Sequence, residues 1–431
     1  MMKQIFQQAW AQLKQQPVIS VVTVTGTALA LFLIMLVVMM QQVKTAPFAP
    51  ESYRDRFLHV KMASLTHKEW GAGSSSNGPW SARSLQDIYK PMQTPEAVTI
   101  YTYMALTTPV SLPGQPSLAV DSRETDADFW RVFDFSFVQG KPYDEAMFEA
   151  GQPVAVMTES VARRLFGTTE VVGQEFLLAY VPYRVVGVVK DVSTLASTAY
   201  AQVWMPYTST NQVGNCWDHG LMGLMSCTML AKNPADFPVL REEALRRLEA
   251  QNKSLEETGY SFINRNRPYT QEKDVLAFGA NYEPDVEADR RQRWMIYLIL
   301  LIVPAINLSS MTQSRLRQRV SEIGVRRAFG ATRTELMGQL LGENLIVTLL
   351  AGLVGLLLSV AFAYLGNEFL FAQEFSYTLV PPQVDASILI HPSTFLMALG
   401  FCFVLNLLST GIPAWRASRM NIVNAIGGTL H

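Results

Sequence analysis

Apolar positions along the chain collect into four blocks. Residues 18–40 run for 23 positions without a charge. At about 1.5 Å of rise per residue that stretch makes a helix roughly 34 Å long, enough to cross a hydrocarbon layer of about 30 Å. A second block covers 294–311 and holds Pro304, a third covers 340–365 and holds one acid, Glu343, and a fourth covers 394–414. The pattern predicts an α-helical membrane protein with four transmembrane helices in a one-plus-three arrangement: 17–41, 294–311, 340–365 and 394–414. A cleaved leader carries an apolar stretch of about 7–15 residues before a small-residue cleavage site. Residues 18–40 exceed that length and Ala46-Pro47 is a poor site, so the first block reads as a retained anchor.

Between the first two spans, 42–293 changes from continuous apolar runs to short alternations. Residues 57–62 and 97–104 read as strands around a short helix at 84–90. The order returns near the far end: an apolar stretch at 222–231, a helix at 234–251 with Arg241, Glu242, Arg246 and Arg247 on its polar face, and a strand at 260–264. These two β-α-β units bracket a middle section, about 110–213, with short strands at 153–157, 183–189 and 202–205. We expect a large extracytoplasmic α/β domain with an inserted β-rich subdomain. The glycine- and serine-rich 71–78 reads as a flexible loop. Ahead of the first span, Met2, Phe6, Ala9, Trp10 and Leu13 share one face of 1–16. That predicts an amphipathic helix in the headgroup plane before Pro17 turns the chain inward.

Composition narrows the class. Hydrophobic residues make up 49% and charged residues 16%, against about 25% charge in an ordinary soluble domain. Disorder is excluded, because there is ample apolar material to bury. Lys and Arg number 35 against 36 Asp and Glu, so no global field seeks phosphate and a nucleic-acid partner is not expected. The distribution of charge sets the topology. Lys3 and Lys14 precede the first span with no acid. Arg315, Arg317, Arg319, Arg326, Arg327 and Arg333 crowd 312–339 against Glu322 and Glu335, and Arg416 and Arg419 stand in the 415–431 tail. The 366–393 loop carries Glu368, Glu374 and Asp385 and no Lys or Arg. Both termini and 312–339 are therefore expected in the cytoplasm of an inner-membrane protein, with 42–293 and 366–393 outside. Arg290, Arg291 and Arg293 run against this, but charge governs short loops more than long translocated domains.

Motifs for chemistry are missing. No G-x-x-x-x-G-K-[ST], no strand–GxGxxG–helix, no G-x-S-x-G and no H-E-x-x-H occurs, so no catalytic, cofactor or metal residue is assigned. His59, His67, His219, His391 and His431 are scattered, and Cys216, Asp218 and His219 lack the second ligand pair that a metal site needs. Cys216 and Cys227 stand eleven residues apart with Gly220 and Gly223 between them. In an oxidising compartment they either close a disulfide or remain two thiols. Cys402, inside the fourth block, reads as helix packing.

The basic segment has a tighter grammar. Residues 319–329 predict a short helix that Gly330 ends. Thr332 and Glu335 have capping-box spacing, so the next helix starts at once and continues into the third span. The result is a helical hairpin at the membrane surface: either an anionic-lipid patch or a stiff lever for a partner. Ala351, Gly355, Ser359 and Ala363 form a small-residue stripe in the third span, serving packing within the chain or across a dimer. Gly26 and Ala30 offer a shorter stripe in the first. Glu343 is an intramembrane acid near the cytoplasmic end, in a functional role or as an anchor towards the basic segment.

These residues resemble a known family. The run 322–333, EIGVRRAFGATR, is similar to the cytoplasmic signature of MacB-like and FtsX-like ABC transporter permeases, and 413–420, PAWRASRM, to their closing motif, with Ile422 and Asn424 where Pro and Glu are usual. Residues 154–167 and 183–191 resemble the MacB-type periplasmic core domain. The resemblance implies a mechanotransmission permease that dimerises and binds an ABC ATPase through Arg319, Glu322, Ile323, Gly324, Val325, Arg326, Arg327, Ala328, Phe329 and Gly330. ATP-Mg would then sit in a separate partner subunit, since this chain has no fused ATPase motif. It also implies export or extraction of a peptide, lipoprotein or drug, with or without a periplasmic adaptor, or else mechanical control of a periplasmic hydrolase or signalling protein.

Overall fold

The computed structural model describes residue 14 and residues 17–318, 320–371, 379 and 392–419. Met2, Phe6, Ala9, Trp10, Leu13, Arg319, Met420, Ile422 and Asn424 lie outside the described residues. In chain order the elements are α1 (Pro17–Thr45), β1 (Phe57–Val60), β2 (Ala63–His67), β3 (Ser76–Gly78), α2 (Ala82–Ile88), β4 (Ala97–Thr102), β5 (Leu106–Ser111), β6 (Leu118–Thr125), β7 (Phe137–Gly140), β8 (Val154–Thr158), α3 (Glu159–Phe166), β9 (Glu175–Leu178), β10 (Val181–Val189), β11 (Val203–Pro206), β12 (Met225–Leu230), α4 (Phe237–Ser254), β13 (Tyr260–Phe262), β14 (Tyr269–Thr270), α5 (Gln271–Asp274), α6 (Val286–Gln318), α7 (Val320–Ala328), α8 (Arg333–Leu365) and α9 (Pro392–Arg419). They divide into two compact units, one of Lys44–Val286 with Phe371–Val384, the other of Met1–Val43, Glu287–Leu370 and Asp385–His431.

In the helical unit, α1, α6, α8 and α9 are long and apolar enough to cross a membrane. The second helix begins at Val286, eight residues before the expected 294. Its first turns are charged and held by pairs on one helix face, Arg290 with Glu287 at 3.0 Å and Arg293 with Asp289 at 2.8 Å. Hydropathy sees only the apolar part of such a helix. Leu31, Ile34 and Met35 of α1 pack with Tyr297 and Leu301 of α6 and with Phe401 and Leu405 of α9. The stripe on α8 is used inside the chain. A Cβ on Gly355 would stand 2.7 Å from the Ala28 carbonyl oxygen, so α1 and α8 meet this closely because residue 355 has no side chain. Within the chain, Ala28 and Leu31 make the contact with α8, and nothing lies within 4 Å of a Cβ on Gly26.

In the α/β unit, β1 lies between β12 and β14, and β12 pairs with β4, all antiparallel. Leu58 and Val60 of β1, Leu85 and Ile88 of α2, Ile100 of β4, Met229 of β12 and Leu240 and Leu248 of α4 share one core. Each such side chain contributes about 1.5–3 kcal/mol on full burial. The strand-rich section from Leu106 to Pro206 closes on itself. The circuit runs β11-β8-β10-β9-β5-β6 and returns through β6 to β11. Val110, Val120, Met157, Phe176, Tyr183, Val185 and Val203 fill this barrel. Tyr183 and Val185 point inward with Arg184 outward, as a pleated strand requires. The register then shifts between Val185 and Gly187, bringing Val188 inward. The barrel joins the rest of the sheet through one paired position, Tyr101 opposite Thr125.

One local expectation is corrected. Residues 76–78 are not loop: they pair with β2, Leu65 opposite Ser76, and the Ser64 hydroxyl donates to Asn77 Oδ1 at 2.7 Å. Cys216 and Cys227 are free thiols. Strand alternation turns Cys227 into the core beside Met225 and Met229, opposite Val60 and Ile100. Cys216 stays exposed in the preceding loop, its thiol donating to the Val213 carbonyl at 3.1 Å.

Candidate functional site: the basic helical hairpin

The hairpin is built from short-range signals. α7 ends where Gly330 takes φ +95°, a conformation that side-chain-bearing residues rarely adopt. Thr332 caps α8: its hydroxyl accepts from the Glu335 amide at 3.3 Å, and Glu335 Oε2 accepts from the Thr332 amide at 2.9 Å. Two residues therefore separate the turn from a fully capped helix. Leu316 of α6, Ile323 of α7 and Leu336 of α8 form a small apolar cluster that fixes α7 against both neighbours.

Of the expected coupling residues, Ile323 and Gly324 face inward and are buried. Val325 and Phe329 face out, 44% and 89% exposed. Arg326 is the junction. One guanidinium nitrogen pairs with Glu322 at 2.7 Å and the other donates to Gln339 Oε1 at 2.8 Å. Gln339 then donates through Nε2 to Glu343 Oε1 at 2.9 Å. Glu343, 3% exposed, is thus linked to the basic segment, and the linker is Gln339, which the sequence reading passed over. The signal was present: Gln339 stands one turn before Glu343, on the same face. Deeper in α8, Asn344 donates to Thr410 Oγ1 at 2.8 Å and Asn406 donates to the Leu341 carbonyl at 3.2 Å, tying α8 to α9.

Among the described residues no three His, Cys, Asp or Glu gather as metal ligands. His67 stacks on Tyr260 at 4.5 Å and His219 meets the same ring edge-on at 5.2 Å. His59 is buried and hydrogen-bonded on both nitrogens.

The family model of the MacB-like periplasmic core domain matches residues 20–246, and that of the FtsX-like permease C-terminal region matches 294–422. The macrolide export ATP-binding/permease protein MacB of Escherichia coli O157:H7 is 25% identical over 313 residues, 72% of this chain and 43% of that protein. Its counterpart in Shigella flexneri is 24% identical over the same share of each. The chain spans less than half the length of these curated relatives. The periplasmic region of MacB from Actinobacillus actinomycetemcomitans matches at TM-score 0.33 and 15% identity, covering 47% of this chain and 88% of that one. The extracellular domain of the noncanonic ABC-type transporter YknZ from Gram-positive bacteria matches at TM-score 0.33 and 12% identity, covering 47% and 100%. With a periplasmic core model over more than half of its length and a permease model over the three later spanning helices, this chain belongs to the MacB/FtsX-like family of ABC transporter permeases.

Proposed function

We propose that α7 is the contact through which a separate ABC ATPase subunit drives this permease. The observation that carries the reading is the division of α7 into two faces. Val320 and Ile323 are anchored, while Val325 and Phe329 are held out beside Arg326 and Arg327 on a helix that cannot pivot freely. A large apolar side chain presented this way is a surface for a partner to cover. In this reading the ATP-Mg belongs to the ATPase, and the 431 residues contribute no phosphate-cradling motif of their own. A second permease chain, identical or not, completes the complex in the lipid bilayer. Both termini and 312–339 face the cytoplasm, and 42–293 and 366–393 face the periplasm. Nucleotide-driven closure moves the periplasmic core and exports or extracts a peptide, lipoprotein or drug. The macrolide export named for the curated relatives puts drugs among the cargo classes, and a periplasmic adaptor is a further partner to seek.

The test is purification of the tagged chain with its stoichiometric companions, beside Gly324→Pro. That substitution breaks α7 at a cost of about 3 kcal/mol and leaves the four spans intact. An ATPase that accompanies the wild type and is lost from the variant supports the reading. An ATPase retained by the variant, or absent from the wild type, overturns it. A periplasmic hydrolase or signalling kinase among the companions redirects the output from transport to mechanical regulation.

A further inference from the structure

Within the α/β unit, the Lys44 carbonyl is held by a chain of hydrogen bonds whose direction the chemistry fixes. Gln271 Nε2 lies 2.9 Å from the Lys44 carbonyl oxygen. A carbonyl only accepts, so the amide nitrogen of Gln271 faces Lys44 and its Oε1 faces the other way. That oxygen stands 2.8 Å from His59 Nε2, which must carry the hydrogen. In the neutral ring Nδ1 is then an acceptor, and the Thr228 hydroxyl, 3.0 Å away, donates to it. The Thr228 oxygen in turn accepts from the Tyr101 hydroxyl at 2.6 Å. Every group between Tyr101 and Lys44 has one assignment.

Lys44 sits in the last turn of α1, where carbonyls have no partner within the helix. Gln271 supplies one from the first turn of α5, more than two hundred residues along the chain. His59 and Thr228 are 1% and 0% exposed. Burial holds the imidazole below its ordinary range and Lys61 acts in the same sense, while Asp274, the Gln271 hydrogen bond and Glu51 oppose. The charges that face this region are few. Lys61, just beyond β1, pairs with Asp274 of α5 at 2.6 Å. Glu51 is held by Arg54 at 2.7 Å. β4 and β12 contribute the hydroxyls of Tyr101, whose ring lies 5.6 Å from the Arg123 guanidinium, and of Thr228; Tyr269 of β14 stands opposite His59, and the Phe57 ring meets His59 edge-on at 5.8 Å.

We propose that Gln271, kept in one orientation by its hydrogen bond to His59, is a positioning residue that clamps the Lys44 carbonyl to β1, β12 and β4. Its consequence for transport rests on the permease reading, in which displacement of a spanning helix must reach the periplasmic core without loss. The clamp itself does not depend on that reading.

The experiment uses the full chain in nanodiscs. Spin labels are placed at Lys44→Cys and Lys232→Cys, both exposed, with Cys216→Ser to keep labelling selective. Gln271→Glu preserves the acceptor towards His59 but removes the donor to the Lys44 carbonyl. His59→Phe leaves Gln271 in place but removes what orients it. The expected result is a narrow distance distribution in the parent and a broadening of about two-fold in both variants. In 15N-histidine spectra of the parent, one of the five rings is locked as the neutral Nε2–H form at pH 7 and loses that signature on acidification, with broadening in parallel. Gln271→Glu shifts the pH at which this occurs, which a merely space-filling role would not do. Melting curves confirm that each variant is folded. Unchanged widths in both folded variants, or a His59 ring protonated on Nδ1 at pH 7, overturn the clamp. Broadened widths with unaltered ATP-driven activity uphold the clamp and count against the permease reading.

Discussion

The hairpin at 320–343 and the base of the periplasmic core around Glu51 and His59 both stop the chain from bending where two elements meet, and they do so by opposite means. In the hairpin the work is done by sequence neighbours: Gly330, Thr332 and Glu335 stand within six residues of one another. At the base, Glu51 accepts from the Thr198 and Ala199 amides, each at 2.9 Å, and Arg54 donates to the Leu195 carbonyl at 2.8 Å. These partners lie more than 140 residues away. The hairpin is wet and its ion pair is half-exposed, while the base is dry and its ion pair is at most 1% exposed. A local device can be strong without burial because little chain entropy opposes it. A distant one needs burial to make each polar contact count.

The contrast is broken or sharpened most by Arg54→Ala. Burial raises the Glu51 carboxyl, but Arg54 and the Ala199 amide outweigh it and hold the group below its ordinary value. Removing Arg54 leaves that charge buried and unpaired, at a cost of about 3–5 kcal/mol. Thermal melts of the full chain should show this loss, and a loss under about 1 kcal/mol would show that the base is not dry.

Glu124 is the opposite case, a buried acid with no cation. The Thr210 hydroxyl donates to it at 2.9 Å, and burial pushes its carboxyl from 4.5 up to about 7. A raised carboxyl binds protons in the folded state that the unfolded chain has released, so stability falls as pH rises from 4.5 to 7. Glu124→Gln should therefore stabilise by about 1–3 kcal/mol at pH 8 and by nothing below pH 4. Melts across that range decide it, and an equal effect at both ends refutes the assignment.

On the hairpin side, Thr332→Ala removes the cap and should cost about 1 kcal/mol. Hydrogen exchange should accelerate at the first amides of α8 and not in the periplasmic core. The smallest effect expected is from Arg326→Ala, about 0.5 kcal/mol of stability, although it severs Glu322 from Gln339. A melting loss several times larger would mean that the hairpin pair is as dry as the base.

The same division explains what could be read from the sequence. The four spans announce themselves by length, and Gly330 with the Thr332–Glu335 box by local spacing, so both were legible. β3 was not: Ser76, Asn77 and Gly78 have no strand preference, and only the edge of β2 makes them one. The free state of Cys227 depends on which face of β12 turns inward, which Cys spacing does not encode. The closure of the barrel required β6 to find β11 across about 80 residues. Gln339 and Gln271 carry no mark in the sequence and His59 stands there only among scattered histidines, for a common reason: each makes its contacts with partners that folding alone brings near, and a lone Gln or His in a strand or helix is ordinary.

β1 and β14, the first and last strands of the α/β unit, lie side by side, His59 opposite Tyr269. The Lys44–Val286 part of this body is entered and left through adjacent strands, so that part is one insertion in the connection between the first two spanning helices. An insertion whose two ends lie side by side tolerates exchange as a block, because the flanking helices meet the same pair of endpoints whatever it contains.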